Sequence, residues 1–143
     1  MTTLTTLYDQ AKQQNIEILS YPLPLTGSMA LELEDGRCYI GMDYDALEDE
    51  RDRLVHLAHE MGHCVRGAFY NRYAKMDLRQ RHENTADKWA IRKLIPMEDL
   101  DDAIAAGYTE MWELAEHFNV TVEFMRKAVC LYTHGNLEAD LYF

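Results

Sequence analysis

The 143-residue chain has few of the residues that build secreted scaffolds or membrane spans. Its three cysteines, Cys38, Cys64 and Cys130, are scattered and odd in number, so they predict reduced, mostly buried thiols and no disulfide framework. It contains no run of about eighteen apolar residues, and a membrane span is therefore not expected. Nor does the N-terminus carry a basic region followed by an apolar stretch, so no secretory signal is predicted. Together these absences predict a cytoplasmic protein.

Basic residues are also scarce, with 14 Lys and Arg against 25 Asp and Glu and a net charge of −11. This balance argues against direct binding to nucleic acid, because a phosphate backbone requires a basic surface. The charge is uneven, since most of the basic residues lie between positions 66 and 93. Two interpretations stay open. The acidic and basic regions are solvated faces whose charges compensate each other, or they form an electrostatic field that orients a protein substrate.

The length, with 48% apolar and 27% charged residues, predicts one globular domain over residues 1–143. Apolar periodicity predicts an α+β fold that begins with a helix over residues 4–14. Alternating patterns predict strands over 16–20, 29–34 and 37–43, and Asp35-Gly36 predicts a hairpin between the last two. We therefore expect an N-terminal helix and a short three-stranded antiparallel sheet, followed by a mostly helical C-terminal half.

Five helices are predicted after the sheet. Residues 45–48 have the pattern of a capping box for a helix that ends near Gly67, with a core stripe of Leu54, Leu57, Ala58, Met61 and Val65. Residues 66–81 predict a mostly irregular connection. The later helices are expected over residues 83–95, 97–106, 111–118 and 122–132.

The strongest chemical signal is His59-Glu60-Met61-Gly62-His63, which fits His-Glu-x-x-His. On a helix, residues four apart lie on one face, so His59 and His63 can bind the same metal ion. Glu60 is then the expected general base, which takes a proton from the attacking water and passes it to the leaving amine. An ordinary helix with two aligned histidines is the weaker alternative, and a metal site without catalysis is another.

An acidic pair further along the chain has the spacing of the Glu-x-x-x-Asp half of a zinc peptidase site. Glu83 follows His63 by twenty residues, and Asp87 follows Glu83 by four, so both face one side of a predicted helix. Two histidines and one glutamate form a catalytic zinc set, so we expect His59, His63 and Glu83 to bind Zn²⁺. Asp87 is expected to accept the other N–H of a ligand histidine, with His59 as the first choice.

These motifs resemble a known family. The run Leu57–His63 resembles the LAHELGH helix of ImmA/IrrE-type zinc metallopeptidases, and residues 83–96 resemble that family's second box. Residues 114–121 are similar to a third, weaker segment, while Trp89 and Lys93 depart from the usual pattern. The resemblance implies a small zincin-like domain and a zinc metalloendopeptidase. It also implies a protein substrate, a helix-turn-helix repressor of a phage or mobile element.

Two other functions fit parts of the sequence. The protein could instead be a metal-binding regulator that inactivates its partner by contact without proteolysis. A DNA-binding module built on the helices from Leu114 to Val129 is a third reading, but residues 108–143 carry six acidic and two basic residues. Such a balance would repel phosphates.

Two further expectations concern substrate and transition state. We expect the strand over 37–43 to be an edge to which an extended peptide adds, so that proline at Ile40 or Met42 would raise KM. An oxyanion donor is needed besides the metal. Tyr70, Tyr73, His82 and Tyr108 are candidates, and no spacing rule selects one of them.

Overall fold

The protein was analysed as a computed structural model, which describes residues 1–71, 73–135 and 137. Helix α1 (Leu4–Gln13) precedes three strands, β1 (Glu17–Ser20), β2 (Ser28–Glu32) and β3 (Cys38–Met42). The helices that follow are α2 (Glu50–Arg66), α3 (Met76–Leu94), α4 (Met97–Ala105), α5 (Met111–Phe118) and α6 (Val122–His134). The predicted α+β class is confirmed. No helix in these ranges is both long enough and apolar enough to cross a membrane.

The sheet is mixed, with the strand order β1-β3-β2. The hairpin prediction is confirmed, since β2 and β3 pair antiparallel and Gly36 between them has a φ of 87°. The all-antiparallel prediction is wrong for β1, which pairs parallel to β3. The link after β1 crosses the end of β3, where the Asp43 carboxylate accepts the Leu23 N–H at 2.8 Å. Because of this crossing, β1 and β2 lie on opposite sides of β3.

Helix α2 begins later than the capping-box pattern indicated. Its N-cap is Asp49, whose carboxylate accepts the Arg51 N–H at 2.7 Å, and its C-cap is Gly67 with a φ of 62°. Residues 44–46 form a turn instead, and residues 47 and 48 have no regular secondary structure. The reason is Asp43, whose Oδ1 accepts the Asp45 N–H at 3.1 Å and so closes that turn before the helix starts.

Helix α3 begins seven residues earlier than predicted, at Met76 instead of Glu83. Its first two turns are mostly exposed and show no apolar stripe, so their periodicity gives no helix signal. The first buried residue of α3 is Ala86, and burial continues through Ala90, Ile91 and Leu94. The tertiary anchor of this helix therefore lies in its C-terminal half.

The core lies between one face of the sheet and the helices. Ile40 and Met42 of β3 are fully buried, as is Leu7 of α1. The predicted stripe of α2 is buried at four positions, but Val65 is 38% exposed, so the stripe ends one turn earlier than expected. The C-terminal helices extend the same core with residues that include Leu100, Leu114, Phe118, Phe124 and Met125.

Candidate metal centre

Two histidines of α2 face the same point, as the four-residue spacing predicted. The Nε2 atoms of His59 and His63 lie 3.2 Å apart. His63 is only 6% exposed, so its ring position is set by packing. The helix therefore presents two imidazole nitrogens close enough together to bind a single ion.

Glu83 of α3 brings its carboxylate to the same point. Its Oε1 lies 3.0 Å from His59 Nε2, and its Oε2 lies 2.9 Å from His63 Nε2. Four-coordinate zinc with ligand bonds of about 2.0–2.2 Å spaces its ligand atoms roughly 3.4 Å apart. The three side chains thus form a slightly contracted face of such a tetrahedron, and this donor set fits a metal ion.

The Nδ1 atoms of both histidines are hydrogen-bonded, and these hydrogen bonds determine the tautomer of each ring. His63 Nδ1 lies 2.5 Å from the Ala68 carbonyl oxygen, which can only accept. His59 Nδ1 lies 2.7 Å from Asp87 Oδ1, as predicted, and this carboxylate also accepts a hydrogen bond from Lys127 Nζ at 3.1 Å. In its neutral form each ring therefore keeps its proton on Nδ1 and turns an Nε2 lone pair towards Glu83.

Two imidazole nitrogens and a carboxylate that converge in this way require a positive charge among them. Burial opposes a charge on His59, yet the hydrogen bonds to Asp87 and Glu83 raise its pKa to about 10. Burial likewise opposes the shift at His63, where Glu83 and the Ala68 carbonyl raise the pKa. Burial would raise the pKa of Glu83, but its hydrogen bonds with the two rings lower it well below the usual range. The centre therefore stabilises a cation strongly.

A glycine inside the motif lets the two helices meet. A Cβ added to Gly62 would lie 2.6 Å from the Ala86 carbonyl oxygen and 3.0 Å from the Ala86 Cα, both of them backbone atoms. Real Cβ atoms do not approach that closely, so any larger residue would push α3 away. Because Ala86 lies next to Asp87 and less than one turn from Glu83, this contact places both acidic side chains against the histidines.

Glu60 lies beside these ligand atoms in a buried position. It is 7% exposed. A possible ligand atom of Glu60 lies within 4.8 Å of one on His59 and one on His63. Glu60 is therefore a geometric competitor of Glu83 for the place of third ligand. We favour Glu83 as a ligand because its two oxygens already lie about 3 Å from both Nε2 atoms, whereas Glu60 Oε2 accepts a hydrogen bond from Ser28.

The centre opens into a cleft of about 840 Å³ between β2, the facing sides of α2 and α3, and the start of α6. The expectation that the strand before the metal helix is the sheet edge is wrong, because β3 is the middle strand. Ile40 and Met42 are fully buried, so proline there would break the sheet without reporting on the substrate. The edge that lines the cleft is β2, which contributes Ser28, Met29 and Ala30.

One of the four candidate oxyanion donors lies at the centre. The Tyr70 hydroxyl donates to Glu83 Oε2 at 3.2 Å, and its ring stacks with that of His82. Tyr73 is 79% exposed, and Tyr108 packs against His117. Among the four, only Tyr70 lines the cleft.

Two cysteines do not behave as predicted. Cys38 of β3 and Cys64 of α2 form a disulfide across 26 residues of sequence, so the expectation of reduced thiols is wrong for this pair. Their Cα atoms are 5.9 Å apart because the start of β3 packs beside the last turns of α2. Cys130 is a buried thiol, as expected.

Several residues of the cleft were not found from the sequence. They are Ser28, the Ala68 carbonyl and Lys127, and they reach the centre from three separate segments. His56 of α2 also lines the cleft, and its ring is hydrogen-bonded to Ser28. No spacing rule connects these positions to the motif, so only the folded chain reveals them.

The sequence matches the family model of the IrrE N-terminal-like domain, a peptidase family, over residues 11–129. No curated protein matches it. The matched stretch covers well over half of the chain and contains the whole metal centre described above. This match supports a metallopeptidase-type function, and a His-Glu-His group that could bind a metal ion is consistent with it. The chain belongs to the IrrE N-terminal-like domain family of peptidases.

Proposed function

We propose that the protein is a zinc-dependent endopeptidase that hydrolyses a peptide bond in a protein partner. The partner class is a helix-turn-helix repressor of a phage or mobile element. One observation carries the proposal: two imidazole nitrogens and the Glu83 carboxylate converge at about 3 Å beside a buried glutamate, in a cleft bordered by a strand edge. A metal, a proton acceptor and an extended peptide are what peptide hydrolysis requires in one place.

His59, His63 and Glu83 would hold the ion. Two imidazoles and one carboxylate are the ligand set of many catalytic zinc sites, and such a set leaves a position for water or substrate. When bound, zinc supplies Lewis acidity, which lowers the pKa of water and polarises a carbonyl. Asp87 and the Ala68 carbonyl keep the two rings in the binding tautomer.

The chain's own residues then handle the protons. Glu60 takes a proton from the attacking water and gives it to the leaving amine. The Tyr70 hydroxyl, which lies against Glu83, is placed to donate to the oxyanion that forms at the scissile carbonyl. Both groups work in a partly enclosed cleft, where electrostatic interactions are stronger than in bulk water.

The substrate would lie along β2. In its antiparallel ladder with β3, Asp43 N–H donates to the Gly27 carbonyl, and Leu33 N–H donates to the Arg37 carbonyl. By alternation, the backbone groups of Ser28, Ala30 and Glu32 point away from β3. An extended peptide can pair with them, and Ser28 and Ala30 lie at the cleft beside the centre.

Charge supports a repressor as the partner. A protein that binds DNA presents a basic surface, and this chain has a net charge of −11. Opposite charges speed encounter between two proteins.

We further propose a cytoplasmic location, where such repressors act. The Cys38–Cys64 disulfide argues against a cytoplasmic location, because disulfides are rare in that compartment. Alkylation of thiols in intact cells, which shows whether these two cysteines are reduced there, tests the location.

The test compares three zinc-loaded proteins: wild type, Glu60→Gln and Glu50→Gln. Each is incubated with the helix-turn-helix repressor encoded beside the gene, and the products are weighed by intact-mass spectrometry. Glu50 is an exposed residue in the first turn of α2, so its variant controls for the loss of one negative charge. We expect zinc in all three, cleavage at one bond by wild type and Glu50→Gln, and a rate at least about 100-fold lower for Glu60→Gln.

The main alternative is a metal-binding regulator that inactivates its partner without cutting it. It predicts that the repressor stays intact while its DNA binding is lost, to the same degree with wild type and Glu60→Gln.

A DNA-binding role for α5 and α6 is disfavoured. Glu123, Phe124 and Lys127 of α6 line the cleft, and Leu114, Ala115 and Phe118 of α5 are buried.

A further inference from the structure

A chain of hydrogen bonds lies behind Glu60, on the side of β2. The Ser28 hydroxyl lies 2.7 Å from Glu60 Oε2 and 2.7 Å from His56 Nδ1. Ser28 is 5% exposed and Glu60 is 7% exposed, so bulk water does not compete freely for either group. Buried polar groups of this kind are ordered by the partners they find in the protein.

The direction of each hydrogen bond follows from counting protons. An ionised carboxylate can only accept, so the single hydroxyl proton of Ser28 is donated to Glu60. Ser28 Oγ must then accept from His56, which places a proton on His56 Nδ1. Burial lowers the pKa of His56, in line with a neutral ring near pH 7 whose tautomer this contact selects.

The backbone is built to allow this approach. Gly27 has a φ of 80°, and a Cβ there would lie 2.7 Å from Leu47 Cδ2 and 3.4 Å from His56 Cε1. The positive φ would strain a residue with a Cβ, so glycine suits the turn that brings β2 against the histidine ring. His56 and Glu60 lie one turn apart on α2, and Ser28 bridges them from the first position of β2.

We propose that Ser28 and His56 are positioning residues that hold the Glu60 carboxylate in the orientation required for proton transfer. This inference rests on the proposed peptidase function. With Oε2 occupied by Ser28, Oε1 is the oxygen that takes the proton. His56 orients the hydroxyl, so that Ser28 donates to Glu60 and to no other acceptor. Neither residue belongs to the proposed ligand set of His59, His63 and Glu83.

Two matched pairs of variants separate positioning from packing. Ser28→Ala removes the hydroxyl, whereas Ser28→Thr keeps it. His56→Leu removes the donor, whereas His56→Asn keeps an N–H near the place of Nδ1. We expect kcat to fall about tenfold for Ser28→Ala and several-fold for His56→Leu, with recovery in Ser28→Thr and His56→Asn. KM and zinc content should not change, because the β2 backbone and all three ligand side chains remain in place.

The kinetics use a fluorogenic peptide that spans the bond mapped in the repressor. A second readout needs no turnover: ¹⁵N NMR of the zinc-loaded protein reports which nitrogen of His56 carries the proton. We expect the Nδ1–H form in wild type and a shift towards the Nε2–H form, the common one in water, in Ser28→Ala. His117, which lies outside the cleft, should keep one spectrum in both proteins and serves as the internal control.

An Nε2–H tautomer of His56 in wild type would overturn the proposal. So would an unchanged kcat in Ser28→Ala that still carries zinc, or a fall in kcat that Ser28→Thr does not reverse. If wild type cleaves no substrate at all, the peptidase function fails, and the proposed role in proton transfer is overturned with it. The tautomer still decides whether the hydrogen-bond chain exists, so the two failures are distinguishable.

Discussion

The two helices that build the metal centre are held in very different ways. Helix α2 has a side-chain cap from Asp49 at its start and a left-handed Gly67 at its end, and its buried residues run from Leu54 to His63. Helix α3 begins at Met76, its N-cap residue Lys75 makes no side-chain cap hydrogen bond, and its first buried residue is Ala86. The two imidazoles thus come from a helix fixed at both ends, and the carboxylate from a helix fixed at one.

This difference divides the centre into two halves. The rigid half is the histidine pair on α2, and the dependent half is Glu83, whose position depends on how α3 packs against α2. Glu83 lies three residues before Ala86, at the boundary between the exposed and the anchored parts of α3. Its side chain is 33% exposed, against 8% for His63. The histidines are therefore positioned by the fold itself, whereas Glu83 is positioned by the contact between α3 and α2.

The largest effect is expected from the ligands themselves. Apparent zinc-binding energies of roughly 10–16 kcal/mol, shared among the ligands, give each of them about 3 kcal/mol or more. We expect His63→Ala to weaken zinc binding by about 1,000-fold and Glu83→Ala by about 100-fold, since water can replace an exposed carboxylate more easily than a buried ring. Competition with a chromogenic chelator measures both. Equal losses would show that Glu83 is held as firmly as His63.

The next effect is expected at the contact between the helices. Gly62→Ala places a methyl group 2.6 Å from the Ala86 carbonyl oxygen, so α3 must move. We expect a loss of about 2–3 kcal/mol in the free energy of unfolding and zinc binding at least about tenfold weaker. Urea unfolding and chelator competition provide the two numbers. Val65→Ala, at an exposed site on α2, is the control and should cost less than about 0.5 kcal/mol. Normal zinc affinity in Gly62→Ala would mean that α3 is not positioned by this contact.

When a chelator removes the metal, protonation of His59 should stabilise the contact between α2 and α3. His59 has a pKa raised to about 10, so its contribution to stability is complete below its unfolded value of about 6.5 and is lost as the pH rises towards 10. Glu83 and Asp87 have lowered pKa values, so their contribution is complete above their unfolded values and is lost on acidification. Stability from this cluster is therefore greatest between about pH 5 and 6.5.

We expect the chelator-treated protein to lose about 2 kcal/mol between pH 6.5 and 8.5, while the stabilisation gained from added zinc grows over the same range. Thermal unfolding followed by circular dichroism measures both trends. His59→Gln should abolish the decline, and His117→Gln should leave it in place. A Tm that rises with pH in the chelator-treated wild type would contradict the assigned contacts.

The same comparison explains what the sequence could and could not predict. The metal-binding face and the end of α2 follow from the sequence, because His59, His63, most of the apolar stripe and Gly67 are local signals at helical spacing. The first half of α3 was missed because exposed residues such as Met76 and Leu78 do not form a stripe. Glu83 and Asp87 were found nevertheless, since their spacing from each other is itself local.

Features that depend on distant segments were mispredicted or missed. The position of β1 beside β3 depends on how one loop crosses the sheet, and the Cys38–Cys64 pairing depends on where α2 ends relative to β3. Ser28 reaches Glu60 across 32 residues of sequence, and Lys127 reaches Asp87 across 40. A ligand pair on one helix is encoded by periodicity, but the groups that orient it are encoded only by tertiary packing.

The smallest effect, and the most direct test of the comparison, is expected at the helix starts. Lys75→Asp would supply the side-chain cap that α3 lacks and place a negative charge at its N-terminus, a gain of about 1 kcal/mol. Asp49→Ala removes the cap of α2 and should cost about the same. Urea unfolding of the two variants measures both changes. If α3 is the dependent half, only Lys75→Asp should also tighten zinc binding, by a few-fold, because it orders the turns that lead to Glu83. A stability gain without any gain in zinc affinity would show that Glu83 is already fixed by Ala86 and the turns after it, and the two halves of the centre would then be equally rigid.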